Sequence, residues 1–291
     1  MGDRRLRSGW VGLVLAACAS LLASCVSFNH VDVLPIADRP LTRSDVTFLA
    51  PDQHFQSLPV TASGRTVTAY YIDTSKARGV LFAIGGNGND SEPLLRELLP
   101  RAEALNLDLA VLSYYVKGEP TPTIAQTREA AAAALQAVEQ LPGPASSNVY
   151  LIGHSMGCWL ATDLAAHFPV KGVILAAAGT TIAETFGKEW FPLNLIVNFG
   201  ADEDVAQLDS VRDAASIHAP TIVFSSDDDD VIPAEQTRRV YDALPQDTPK
   251  KFVLLSHVQH VQYLRKNRLW SAVASFFKLP KRSRPLLSGA S

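Results

Sequence analysis

Ser155 stands between two glycines in Gly153-His154-Ser155-Met156-Gly157. Val149, Leu151 and Ile152 before it read as a short buried strand, and Trp159, Leu160, Leu164, Ala165 and Phe168 after it recur at helical spacing. The serine therefore falls on a strand-to-helix turn. Gly153 and Gly157 remove side chains that would collide in so sharp a turn, which pushes the serine Oγ into the open and aims the unpaired N–H groups of the helix start at whatever it attacks. This is the arrangement of a nucleophile. The competing reading is a chance G-x-S-x-G in an ordinary loop, which the strand–turn–helix context opposes.

Three further stretches carry groups that a serine nucleophile needs, each directly after an apolar run. "GVLFA" leads into Ile84-Gly85-Gly86-Asn87-Gly88-Asn89, where main-chain N–H groups can approach a ligand closely. Gly86 and Met156 are the candidate N–H donors to a developing oxyanion. A flexible turn or a phosphate loop is the alternative, although neither G-x-G-x-x-G nor G-K-[ST] occurs here. "APTIVFSS" leads into Asp227-Asp228-Asp229-Asp230-Val231-Ile232-Pro233. Four consecutive acids read as a solvated loop, a cation site, or the source of one carboxylate that orients a histidine. The run lacks the glycine and distal glutamate of an EF-hand loop. "KFVLL" leads into Ser256-His257-Val258-Gln259-His260, which offers two histidines downstream of both the serine and the acids.

The elements that must position these residues follow one pattern. Two leading strands, "DVTFLAP" and "TVTAYYID", precede "GVLFAIGG", "LDLAVLSYY", "NVYLIGH", "KGVILAAAG", "APTIVFSS" and "KFVLLSH". Most are continuous apolar runs of the kind covered on both faces. Helical spacing fills 91–106, 123–141, 156–168, 234–244 and 260–277, the first opening on Asp90-Ser91-Glu92-Pro93 as a cap with proline in its first turn. The alternation predicts an α/β fold with an eight-stranded, mostly parallel, doubly wound sheet, helices on both faces and a ligand crevice at the carboxyl ends of the strands.

With 291 residues, 47% of them hydrophobic, the chain is able to bury one large core, and its net charge of −3 gives no electrostatic case for nucleic acid. The N-terminus has a separate grammar. Arg4, Arg5 and Arg7 precede "WVGLVLAACASLLASC", the order of a charged and then an apolar region in an export signal. Leu22-Ala23-Ser24-Cys25 resembles the bacterial lipobox, and Leu15-Ala16-Ala17-Cys18 is a weaker match. The resemblance implies that Cys25 is the acylated first residue of a mature, membrane-anchored lipoprotein of the cell envelope. By resemblance to enteric sorting signals, Val26 after it implies the outer membrane. An uncleaved membrane helix is the competing reading, although the apolar run is shorter than the usual span. The expected organisation is a signal peptide over 1–24, a tether over 25–44, a globular domain over 45–279 and a basic tail over 280–291. Cys158 then remains as the single free thiol, a small buried helix residue.

From about Asp45 to Phe277 the chain resembles the α/β-hydrolase fold, whose order of serine, aspartate and histidine it repeats. "GHSMG" looks like the nucleophile elbow of that family. "IGGNGN" is similar to the H-G-x-x-G-N loop of its small esterase and peptidase-like members, with Ile84 in place of the histidine, and "SDDDDVIP" resembles G-x-x-D-x-x-[VI]-P. Aligning on Pro233 puts the acid at Asp229, with Asp228 and Asp230 as alternatives, and the usual place of the histidine favours His260 over His257. The resemblance implies a serine hydrolase in which His260 deprotonates Ser155, Asp229 orients His260, and Gly86 and Met156 hold the oxyanion. It implies no cofactor and no metal. A short-to-medium acyl ester is the expected substrate, and a thioester or amide would use the same machinery. The stretch from Thr180 to Ala219, with "FGKEWFPLNLIVNF", serves as a short cap that walls an acyl pocket or packs into the core. A lipid-anchored binding protein that keeps the fold without turnover is the alternative.

Overall fold

The computed structural model describes residues 25–28, 40–50, 53–74, 77–86, 91–113, 121–143, 146–187 and 198–280. The signal segment 1–24 and all but the first residue of the tail lie outside the described residues. In chain order the first elements are β1 (Cys25–Phe28), β2 (His54–Ala62), β3 (Arg65–Asp73), β4 (Val80–Ile84), α1 (Ser91–Ala104), β5 (Asp108–Ser113) and α2 (Ile124–Glu139). The region around Ser155 follows as β6 (Val149–His154) and α3 (Gly157–His167), then β7 (Gly172–Ala176), α4 (Ile182–Gly187), β8 (Asn198–Ala201) and α5 (Ser210–Ala214). The chain closes with β9 (Thr221–Ser226), α6 (Ala234–Ala243), β10 (Lys250–Leu255), a 3₁₀ turn (His260–Arg265) and α7 (Asn267–Phe276).

Side-chain alternation explains why these elements form layers. Along β4, Phe82 and Ile84 enter one core cluster while Leu81 and Ala83 enter another, and β6 divides Leu151 from Tyr150 and Ile152 in the same way. A strand buried on both faces needs helices on both sides. α2, α3 and α6 cover the first face, and α1 and α7 the second. The strands form an eight-stranded sheet in the order β10-β9-β7-β6-β4-β5-β3-β2, parallel from β10 through β5 and antiparallel at β3 and β2. The α/β class, the strand count and the mostly parallel pairing agree with the sequence pattern.

Three details differ from it. The first strand is not 45–51: Val46 and Leu49 are both buried by a turn in which the Leu49 N–H donates to the Val46 carbonyl at 3.1 Å. β2 takes the edge position instead. Its mixed exposure and Pro59 disguise it, yet both suit an edge strand, where one row of N–H groups has no ladder partner. The helix expected over 260–277 is divided into the 3₁₀ turn and α7. Within the stretch expected to be a tether, Cys25–Phe28 forms a parallel two-stranded sheet with β8. No helix among the described residues is long and apolar enough to cross a membrane.

Candidate active site

Ser155 directly follows β6 and has φ +55°, a left-handed conformation uncommon for serine. Neighbouring main chain holds the turn: the Ser155 N–H donates to the Ala176 carbonyl at the end of β7 at 3.0 Å, and the Cys158 N–H donates to the Ser155 carbonyl at 2.9 Å. The flanking glycines are steric necessities. A Cβ on Gly157 would stand 2.0 Å from the Ile84 carbonyl oxygen, and one on Gly153 would stand 2.7 Å from that of Gly157. Gly86 passes just as close, because a Cβ there would come within 2.9 Å of Ser155 Cβ and 3.5 Å of its Oγ. Met156 starts the turn into α3. The oxyanion candidates Gly86 and Met156 thus both border Ser155, while Asn87 to Asp90 lie outside the described residues.

β9 and β10 lie beyond β7 from β6, and the loops that leave their carboxyl ends fold back toward the serine. The Ser155 hydroxyl donates to His260 Nε2 at 2.7 Å. His260 Nδ1 lies 3.0 and 3.1 Å from the two carboxylate oxygens of Asp229. With Nδ1 donating to that carboxylate, Nε2 is the acceptor that the serine hydroxyl meets. The Asp229 side chain is fully buried. Burial alone would raise its pKa, but the hydrogen bond and charge of His260, with the Ile232 and Val231 N–H groups at 2.8 and 3.0 Å, outweigh it and hold the carboxyl below its ordinary value.

The acidic run is tied to the histidine loop residue by residue. Asp227 accepts from the His257 N–H at 3.1 Å, Asp228 meets His257 Nδ1 at 2.9 Å, and Asp230 accepts from the His260 N–H at 3.5 Å. Ser226 Oγ accepts from both loops, through the Asp228 and Val258 N–H groups at 3.2 Å each. The four acids are therefore loop connectors, and no cluster of side chains suited to a metal ion occurs among the described residues.

His154 is a member of the site that the sequence reading gave no role. Its Nε2–H donates to the main-chain carbonyl of His260 at 2.9 Å, and the two rings stand 5.2 Å apart between centroids. Burial first, and the neighbouring His260 second, push its pKa down to about 4, so the ring is neutral near pH 7. Its Nδ1 is buried without a hydrogen-bond partner among the described residues. Cys158 lies next to this cluster, but burial pushes its thiol well up and leaves it unreactive.

Residues 13–286 match the Alpha/beta hydrolase family. The chain belongs to that family. Among individual proteins it is similar to two uncharacterized proteins from strains of Mycobacterium tuberculosis, each 27% identical over 197 residues. The match spans 66% of this chain and 66% of the length of each relative. Among solved structures it resembles an esterase of Pyrococcus furiosus, with TM-score 0.65, 14% identity and coverage of 84% of this chain and 96% of that one. It also resembles carboxyl esterase 2 of the fungus Tuber melanosporum, with TM-score 0.59, 17% identity and coverage of 85% and 89%. At these identities the likeness extends to the fold.

In this alpha/beta hydrolase a cavity of about 250 Å³ opens over Ser155 and His260. Its walls come from α1 and the 3₁₀ turn, through Leu94 and Leu264, with Glu97 and Arg265 beside them. The central part of "FGKEWFPLNLIVNF", 188–197, lies outside the described residues. Glu97 and Arg265 are 168 positions apart, and no motif in the sequence points to either. His154 could have been noticed only as the variable residue of the serine motif.

Proposed function

We propose that the protein is a serine hydrolase that cleaves a short-to-medium acyl ester through an acyl-enzyme, with Ser155 as nucleophile, His260 as general base and Asp229 as the acid that orients it. One observation carries this reading: Ser155 Oγ, His260 Nε2 and Nδ1, and Asp229 form a continuous hydrogen-bonded chain with contacts of 2.7 and 3.0 Å at a strand-to-helix turn. In the first half-reaction, Ser155 Oγ attacks the substrate carbonyl carbon while its proton passes to His260 Nε2. The main-chain N–H groups of Gly86 and Met156 receive the oxyanion. His260 then protonates the leaving oxygen, and the carbon–oxygen bond breaks. Water attacks the acyl-enzyme as His260 takes its proton, and that proton returns to Ser155 as the acid leaves. A thioester or amide would pass through the same steps.

The Arg4-to-Cys25 segment supports a lipoprotein precursor with Cys25 acylated and the mature protein anchored in the cell envelope. Cys25→Ala is expected to move the protein from the membrane fraction to a soluble or uncleaved form, and an unchanged fractionation removes this part of the proposal. The hydrolase reading is tested by labelling with a fluorophosphonate probe and by hydrolysis of p-nitrophenyl butyrate. Wild-type protein is expected to label and turn over, and Ser155→Ala to do neither. A folded wild-type protein that does not label would favour the binding-protein alternative.

A further inference from the structure

The cavity over Ser155 is not uniformly apolar. Leu94 and Leu264 line its walls, but Glu97 from α1 and Arg265 from the 3₁₀ turn both face it. Glu97 Oε2 is 3.4 Å from Arg265 Nε, a loose contact, while Oε1 is closed off from solvent and makes no hydrogen bond among the described residues. A buried carboxylate oxygen without a partner is costly, so it calls for a donor that the protein itself does not supply. The terminal torsion of a glutamate is broad and roughly two-fold, so the carboxylate can present either oxygen to the cavity that Glu97 lines. A carboxylate oxygen only accepts, so its missing partner is a donor.

Charge narrows the choice of donor. Arg101 lies one helical turn beyond Glu97, within reach of its charge, and its Nη2 donates to the Arg265 carbonyl at 3.0 Å. Two guanidinium groups therefore flank one carboxylate, and this excess of positive charge disfavours an ammonium group at the same place. A neutral hydroxyl meets the requirement for a donor without that repulsion.

We infer that Glu97 is a specificity-determining residue that selects esters carrying a hydroxyl on the portion filling this cavity, such as a partial ester of a small polyol or an ester of a short hydroxy acid. The inference rests on the proposed hydrolase reading. The cavity of about 250 Å³ suits a group of only a few carbons.

The test compares pairs of esters that differ by hydroxyl against methyl. For the alcohol side the pair is 2-hydroxyethyl butyrate and propyl butyrate. For the acyl side it is propyl 3-hydroxybutyrate and propyl 3-methylbutyrate, with propyl 3-aminobutyrate as the cationic arm. Wild-type kcat/KM is expected to favour the hydroxyl member of one pair by about ten- to a hundredfold, mainly through KM, as a hydrogen bond to a charged acceptor implies. Glu97→Leu is expected to bring that ratio near one. Ratios near one for both pairs in the wild type, a ratio that persists in Glu97→Leu, or a preference for the amino ester would each overturn the inference. Wild-type ratios near one overturn the inference without any variant, and Glu97→Ala takes the place of Glu97→Leu if the latter does not fold. Fluorophosphonate labelling separates the two levels: labelled protein without hydroxyl preference overturns this inference alone, whereas protein that neither labels nor hydrolyses any of the esters overturns the hydrolase reading and this inference with it.

Discussion

Two aspartate–histidine pairs stand side by side in the same pair of loops. Asp229 with His260 and Asp228 with His257 have nearly equal contacts, 3.0 and 2.9 Å. Their surroundings differ completely. The side chains of His260 and Asp229 are 10% and 0% exposed, whereas those of His257 and Asp228 are 88% and 50% exposed. Asp229 also accepts two main-chain N–H groups, and His260 has a serine hydroxyl on its far nitrogen. His257 is exposed to solvent there, and Asp228 merely raises its pKa. A hydrogen-bonded pair becomes useful for proton transfer when burial fixes its geometry and a third group lies on the line, because exposed pairs are screened and free to rearrange.

The sharpest way to break this contrast is to remove each histidine. His260→Ala is expected to lower kcat for ester hydrolysis by about four to six decades, and His257→Ala by less than about threefold. Circular dichroism checks that both fold. Equal losses would abolish the distinction. Next, Asp229→Asn keeps the shape of the acid but permits the wrong histidine tautomer, a change worth about four decades. Asp228→Asn is expected to stay within a few-fold of wild type in the same assay. Comparable mild losses at all four acids would return the run to a solvated loop.

A smaller effect is expected behind the buried pair. His154→Phe removes the donor to the His260 carbonyl, and a slight displacement of the base is expected to reduce kcat by about ten- to a hundredfold with little change in KM. His154→Gln, which keeps a donor, is expected to recover part of this loss. If both variants match wild type, His154 has no hold on the base.

The smallest expected effect is on stability against pH. His154 has a folded pKa of about 4 against an ordinary 6.5, so the unfolded chain binds the extra proton between these values and stability falls as pH drops from about 6.5 to about 4. At pH 4.5 the loss from this group is about 2 to 3 kcal/mol relative to pH 7. The depressed Asp229 pKa acts at lower pH, since its contribution is present above the unfolded aspartate value and is lost as pH falls through the folded one. Urea melts at pH 7 and 4.5 are expected to show a smaller difference for His154→Gln than for wild type. An equal difference would place the acid sensitivity elsewhere.

The sequence by itself determined the α/β alternation, seven of the eight strands of the large sheet and the turn at Ser155, because apolar periodicity and the two glycines of the serine motif are local signals. It also narrowed the candidate acid and base to neighbouring residues, through their place just after apolar runs and through family resemblance. It misplaced the first strand, because Val46 and Leu49 are buried by a turn while the true edge strand carries Pro59 and a mixed pattern. Which aspartate faces which histidine was decided by the tertiary structure, since adjacent residues in a loop point in different directions and only packing determines which are buried. The same holds for His154 beside His260 and for Glu97 beside Arg265, whose meeting across 168 residues depends on how α1 and the 3₁₀ turn pack on one face of the sheet and leaves no trace in local spacing.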